Sequence, residues 1–216
     1  FNNYVDTWKT INEPNIYTMM SYLFGLWPPG EKSTWKAYKV FHNLAHAHNK
    51  SYEAIKNSSK HPKPVGFAHN VTSFYVYNRD SFVDWASVKF IDWVWNHWFL
   101  EKTKGHHDFL GINYYVHKRV KGIGLKNWQV LAQDNQGEGR ERSDLDWEIF
   151  APGFFDALVN MQEYEIPIYV TENGISTLND HQRARYLVSY LKELYHAIKS
   201  GVDVRGYYHW SLMDNF

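Results

Sequence analysis

Short apolar runs alternate along this chain with longer segments of helical period. Five runs read as strands, at residues 8–12, 65–70, 109–115, 166–171 and 204–210. Each is short, and most begin after Pro, Gly or a charged residue. Between them, residues 34–58 place Ala37, Phe41, Leu44, His48, Tyr52 and Ile55 at steps of three and four, with Ser33 or Thr34 as cap. Residues 81–103 put Val88, Ile91, Trp95 and Trp98 on one face, and residues 153–164 form a shorter helix. In residues 180–200 the inward face is Leu187, Leu191, Leu194 and Ile198, with Gly201 placed to end the helix.

That order predicts parallel strands joined by helical crossovers and buried on both faces. A doubly wound nucleotide fold usually shows a glycine-rich phosphate turn, and neither G-x-G-x-x-G nor G-x-x-x-x-G-K-[ST] occurs. Polar residues at the ends of several strands fit an α/β fold of the (β/α)8 TIM barrel type. Five strands in 216 residues fall short of eight strands and the ~250 residues typical of that fold. The expectation is a partial barrel, a fragment holding its later part, forming one incomplete domain over residues 1–216. Phe1 is not a methionine and Phe216 directly follows a strand-like run and a turn, so neither end reads as a natural one.

Composition narrows the function classes. Lys plus Arg equals Asp plus Glu, so the formal net charge is zero; this argues against nucleic acid and anionic membrane as partners. No apolar run approaches the ~20 residues of a membrane span. Cysteine is absent, which excludes disulfides and thiolate metal sites and favours a reducing, cytoplasmic location. Aromatics make up 18% of the chain. Most serve a core, but such rings also stack on the C–H faces of sugars.

Two glutamates then stand out. Thr10-Ile11-Asn12-Glu13-Pro14 and Tyr169-Val170-Thr171-Glu172-Asn173-Gly174 each carry one at the end of an apolar run. Two facing carboxyl groups are what glycosidic cleavage requires, one to protonate the leaving oxygen and one to attack or to activate water. Pro14 should keep Glu13 extended, and Asn173-Gly174 should form a turn through positive φ.

With Gly111-Ile112-Asn113-Tyr114-Tyr115, Trp147-Glu148-Ile149 and two further stretches, at residues 202–207 and 210–216, these motifs resemble glycoside hydrolase family 1, the β-glucosidase and β-glycosidase family. The resemblance covers the whole chain in order. It implies an incomplete catalytic domain, about strands 4 to 8 of the barrel, of a retaining β-glycosidase with Glu13 as acid/base after the fourth strand and Glu172 as nucleophile after the seventh. It further implies that Asn12 bonds the sugar 2-OH and that Tyr115 orients Glu172, with Asn113 nearby. Trp147 faces the aglycone and Trp210 forms the stacking floor beneath the sugar. The substrate implied is an unphosphorylated β-glycoside or short oligosaccharide, with no cofactor. A glutamine, a His-Trp pair and an arginine that the family takes from earlier strands are not in this chain, nor is a Glu-Trp pair expected just after Phe216. The chain alone is therefore expected to be inactive or nearly so.

Two rival readings are weaker. His42 and His46 lie four apart, with His48 near and His106-His107-Asp108 further on. Residue 43 is asparagine, so the H-E-x-x-H base is missing, and structural histidines with no metal are the expectation. A non-catalytic carbohydrate-binding module would use the aromatics, and the N-x-[ST] matches at Asn57 and Asn70 if secreted. Such a module has no need of two strand-end carboxylates.

Overall fold

The structure, a computed structural model, describes residues 4–122, 131–133 and 139–213. Asp214, Asn215 and Phe216, the end of the last motif, lie outside the described residues. Strand β1 (Trp8–Asn12) leads into a short helix α1 (Pro14–Thr18), continued by a π-helical turn at Met19–Leu23. Helix α2 (Thr34–Asn57) and strand β2 (Val65–Val76) follow. Helix α3 (Phe82–Asp92) passes through a π-helical turn (Trp93–His97) into α4 (Trp98–Thr103) and then β3 (Phe109–Lys121). After β4 (Leu131–Gln133) come α5 (Ala151–Met161), β5 (Ile168–Asn173), α6 (Asp180–Lys199) and β6 (Val204–His209).

Strands β1, β2, β3, β5 and β6 lie side by side in that order, and every neighbouring pair is parallel. Helices connect each strand to the next, so the five expected strands form part of a (β/α)8 barrel. β4, which the sequence pattern does not show, is a three-residue strand antiparallel to the end of β3. β2 and β3 also run past their expected ends because they pair with each other through Val76 and Val120.

Strand faces follow the alternation of the pleat. Leu110, Ile112 and Tyr114 of β3 enter the core against the helices, together with Phe67, Phe99, Phe154, Leu158, Ile168 and Val170. Tyr114 packs its ring on Phe154 at 5.2 Å. Gly111, Asn113 and Tyr115 therefore face the barrel axis.

One helix face differs from expectation. In α6 the buried positions are Gln182, Tyr186, Tyr190, Leu194 and Ala197, whereas Leu191 and Ile198 are exposed. The tyrosines win because their rings stack at 3.9 Å and both hydroxyls find donors. Tyr186 accepts from Asn173 Nδ2 at 3.0 Å, and Tyr190 accepts from the Phe150 N–H at 3.2 Å. A bonded tyrosine buries more apolar area than leucine. Over residues 81–103 Val88 and Trp98 are buried as expected, and the π-helical turn also brings Asn96 inward, where it pairs with Thr72 through both its amide atoms.

The histidines of α2 divide. His42 and His46 are exposed, while His48 is buried and meets Thr10 Oγ1 at 2.6 Å. Asp108 is occupied by Lys56 at 2.8 Å, Tyr52 at 3.0 Å and the Val65 N–H at 2.8 Å, which ties α2 to the start of β2. Among the described residues no three His, Cys, Asp or Glu side chains cluster as a metal site would require.

Burial has a consequence for acid stability. It lowers the pKa of His48 and of His107 to about 4, helped in each by a neighbouring histidine. It lowers that of His69 to about 4 as well, and His97 adds to the effect. These folded values lie below the unfolded one. The unfolded chain therefore binds more protons between pH 6.5 and 4, and stability falls as pH drops through that window. A tenfold difference in proton affinity between the two states is worth about 1.4 kcal/mol. Urea midpoints measured at pH 7 and pH 4.5 should therefore differ by the equivalent of several kcal/mol; equal midpoints would contradict this burial.

Candidate active site

Both carboxylates follow a slip in strand pairing. Between Lys9 and Asn12, three steps of β1 are set against two of β2. At Thr171, β5 carries one extra residue relative to β3, because Ile112 pairs with Val170 and Asn113 with Glu172. Such bulges re-aim side chains. Here they turn Asn12 and Glu13, and then Thr171 and Glu172, toward the axis.

Glu13 is not extended as Pro14 suggested. It takes φ 47°, ψ 59°, in the left-handed region. Proline disfavours only the right-handed helical state of its predecessor. The choice between the others is made by hydrogen bonds. Glu13 N–H donates to the Ala68 carbonyl at 2.8 Å, while its own carbonyl accepts from Tyr17 at 3.1 Å. A left-handed non-glycine residue costs on the order of 1–3 kcal/mol, and here it ends the strand abruptly beneath the carboxylate.

Three strands supply donors. Asn70 Nδ2 and Asn113 Nδ2 each donate to Glu13 Oε1 at 3.0 Å. Both donors converge on the same oxygen. Asn113 Nδ2 also reaches Asn12 Oδ1 at 3.3 Å, and its own Oδ1 accepts from Thr171 at 2.5 Å. Tyr115 donates its hydroxyl to Glu172 Oε2 at 2.7 Å. Burial and this acceptor push the Tyr115 hydroxyl far up, so it stays a donor. Asn113 thus links Asn12 to Glu13, and Tyr115 is bonded to Glu172.

Asn70 is the addition. In the sequence it stands out only as an N-x-[ST] match. Its place at the end of an apolar run, like that of Asn12 and Asn113, is the signal that could have found it. Asn15 fixes it by donating to the Asn70 carbonyl at 2.8 Å.

Burial pushes the Glu172 carboxyl above its ordinary value. The Tyr115 hydroxyl draws it back, the negative charge of Glu13 adds to the rise, and Lys9 and Asn113 oppose it. An ionised Glu13 thus makes Glu172 keep its proton more readily.

Trp147 is brought beside the site, its ring 5.9 Å from that of Tyr115. Its position is held by its neighbour. Glu148 is buried, with His117 Nε2 at 3.3 Å, Arg119 at 3.4 Å and Arg140 at 3.1 Å. Trp210 follows the end of β6, and its N–H donates to the Asn173 carbonyl at 2.9 Å. The residue is 45% exposed, which leaves a ring face available for stacking. Asn173 is buried and fully used, donating to the Tyr114 carbonyl at 2.8 Å and accepting from Tyr207 at 2.9 Å. Gly174 does not take positive φ. It is required for a different reason: a Cβ there would collide with the Trp210 carbonyl.

Comparisons with known proteins bear on the family and the fold. The sequence model of glycosyl hydrolase family 1 matches residues 1–105 and 100–216. A β-galactosidase of Saccharolobus solfataricus is 35% identical over 100% of this chain and 49% of that protein. A chloroplastic galactolipid galactosyltransferase of Arabidopsis thaliana is 32% identical over 98% of this chain and 35% of that protein. The solved β-glycosidase from Pyrococcus horikoshii superposes with a TM-score of 0.84 at 31% identity, covering 95% of this chain and 51% of that one. The chain thus spans about half the length of several relatives it matches.

Proposed function

This chain belongs to glycosyl hydrolase family 1, and from that premise we propose that it supplies both working carboxylates of a retaining β-glycosidase. The observation that carries the reading is the shared set of donors: Asn70 and Asn113 on Glu13, and Tyr115 on Glu172. In the proposed cycle ionised Glu172 attacks the anomeric carbon through Oε1, while Oε2 stays on the Tyr115 hydroxyl. Glu13 protonates the departing oxygen through Oε2. The bond to the aglycone breaks and a glycosyl ester forms on Glu172. Glu13, now ionised, takes a proton from water as the water oxygen attacks the anomeric carbon; the ester bond to Glu172 breaks, Glu172 returns to carboxylate, and the sugar leaves with its original anomeric configuration.

The remaining roles support this reading. The Asn12 amide meets the sugar 2-OH, where hydrogen bonds strengthen in the transition state. Trp210 offers a stacking face and Trp147 flanks the leaving group. The substrate proposed is a terminal, unphosphorylated β-linked sugar on a small aglycone or short oligosaccharide. Buried Glu172 must be ionised to attack, so the acidic limb of the pH profile should lie above that of an ordinary glutamate.

One finding favours a second acceptor. The Arabidopsis relative is a galactosyltransferase, and a glycosyl ester can be opened by an alcohol as well as by water.

The chain alone, with its outer strands β1 and β6 each paired on one side among the described residues, should show little or no hydrolysis of an aryl β-glucoside. Joined to the earlier strands of a family relative, it should hydrolyse that substrate with retention, followed by proton NMR of the released sugar. Inversion would overturn the mechanism. Robust turnover by the chain alone that vanishes in Glu172→Ala would overturn the expected inactivity.

A further inference from the structure

Lys9 lies on β1, three residues before Asn12, and Glu13 directly follows the strand. Thr10 turns to the helix layer, where its hydroxyl meets His48 at 2.6 Å. Alternation along β1 then sends Lys9 to the opposite face, toward the barrel axis. Its Nζ donates to Asn12 Oδ1 at 3.2 Å. That same oxygen accepts from Asn113 Nδ2 at 3.3 Å, and Asn113 in turn holds Glu13. The exposed Lys9 ammonium is thus linked to Glu13 through Asn12 Oδ1 and the Asn113 amide.

We propose that Lys9 is a positioning residue of this site, held by Asn12, which fixes the Asn12 amide with its Nδ2 turned to the cleft and supplies the fixed positive charge beneath the two carboxylates. Both effects follow from elementary chemistry. An amide oxygen that accepts two donors cannot rotate away, so the amide nitrogen of Asn12 is the atom left to meet a sugar hydroxyl. An ammonium near two like charges lowers the cost of ionising one of them. Among the described residues, the groups that act on Glu172 are Tyr115 and Asn113 from β3, Glu13 beyond β1, and Lys9 within β1. Of these, Lys9 alone is cationic. The inference deepens the glycosidase reading and rests on it for the sugar contact, but the charge effect is measurable without substrate.

The test is a carbon-13 NMR titration of the Glu172 carboxyl in the 216-residue chain, with the signal assigned by its loss in Glu172→Gln. Lys9→Met should raise the Glu172 midpoint by roughly half a pH unit, and Lys9→Arg, which keeps the charge, should restore it. Asn12→Ala releases the ammonium and should move the midpoint in the same direction. The double variant should move it no further than Lys9→Met. A midpoint unchanged in Lys9→Met overturns the proposal, as does a Lys9→Arg midpoint that follows Lys9→Met. Fully additive shifts of Lys9→Met and Asn12→Ala overturn the claim that Asn12 holds the ammonium. Because no turnover is needed, failure here is distinct from failure of the glycosidase reading.

Discussion

Glu172→Gln, in a barrel completed with the earlier strands of a relative, is expected to lower aryl β-glycoside turnover on the order of 10⁴-fold or more, the scale of losing a covalent nucleophile. The same variant should resist urea better at neutral pH. The sign follows from burial, which raises the Glu172 carboxyl above its ordinary value. A raised folded value means the fold prefers the protonated form, so its stabilising effect is present at low pH and is lost as pH rises through that value. At neutral pH the ionised carboxylate is therefore a burden on the fold, and a neutral amide removes it. The gain should shrink as pH falls and Glu172 itself becomes neutral. Activity and urea midpoints measured on the same protein check both halves. A variant that loses activity and stability together would contradict the burial of an ionised carboxylate at this position.

Gly174→Ala carries the second large effect. The Trp210 carbonyl lies against the Gly174 α-carbon so closely that a methyl group has no room. The colliding atom belongs to the backbone, so no side-chain rotation relieves it. The strand ends of β5 and β6 must then part, although Asn173 and Trp210 are joined there by a 2.9 Å hydrogen bond. Overpacking of this kind costs about 1–3 kcal/mol or more. The larger consequence should be catalytic, because Glu172 and Trp210 stand on the two strands being pushed apart. A displacement near 1 Å is enough for a loss of about 100-fold. The kcat/KM of the completed barrel and its urea midpoint test this, and a Gly174→Ala protein with unchanged kcat/KM would show that the close approach is not needed.

Much of this site is legible in the sequence because its parts sit where apolar runs end. Glu13 and Glu172 can be placed where apolar runs end from pattern alone, and the family resemblance adds Asn113 and Tyr115 and gives all four their roles. What is not legible has physical reasons. The backbone of Glu13 escapes local pattern because a following proline rules out one state without choosing between the remaining two. The partners that decide it, Ala68 and Tyr17, come from other elements. The inward face of α6 differs from the leucine stripe because burial of Tyr186 and Tyr190 depends on distant donors, Asn173 and the Phe150 N–H. Gly174 looks like a turn residue when its need is a neighbouring carbonyl from another strand. Asn70 and Lys9 are each ordinary in their own segments. They acquire meaning only when β1, β2 and β3 lie together.

The fold itself is more accessible. Alternation of short strands with helices fixes parallel pairing and crossover connections almost without regard to detail, and the five long strands appear in the expected order. β4 is the exception, being three residues long and dependent on β3 for its pairing.

The central claim is that Glu172 becomes covalently bonded to the sugar while Glu13 handles the proton. The direct measurement is to treat the completed barrel with a 2-deoxy-2-fluoro glycosyl fluoride, which reacts quickly at the first step and slowly at the second, and to map the labelled peptide by mass spectrometry. The expected result is one sugar per protein, esterified to Glu172. A label on another residue, or no label in a protein that still turns over aryl glycoside, would contradict it.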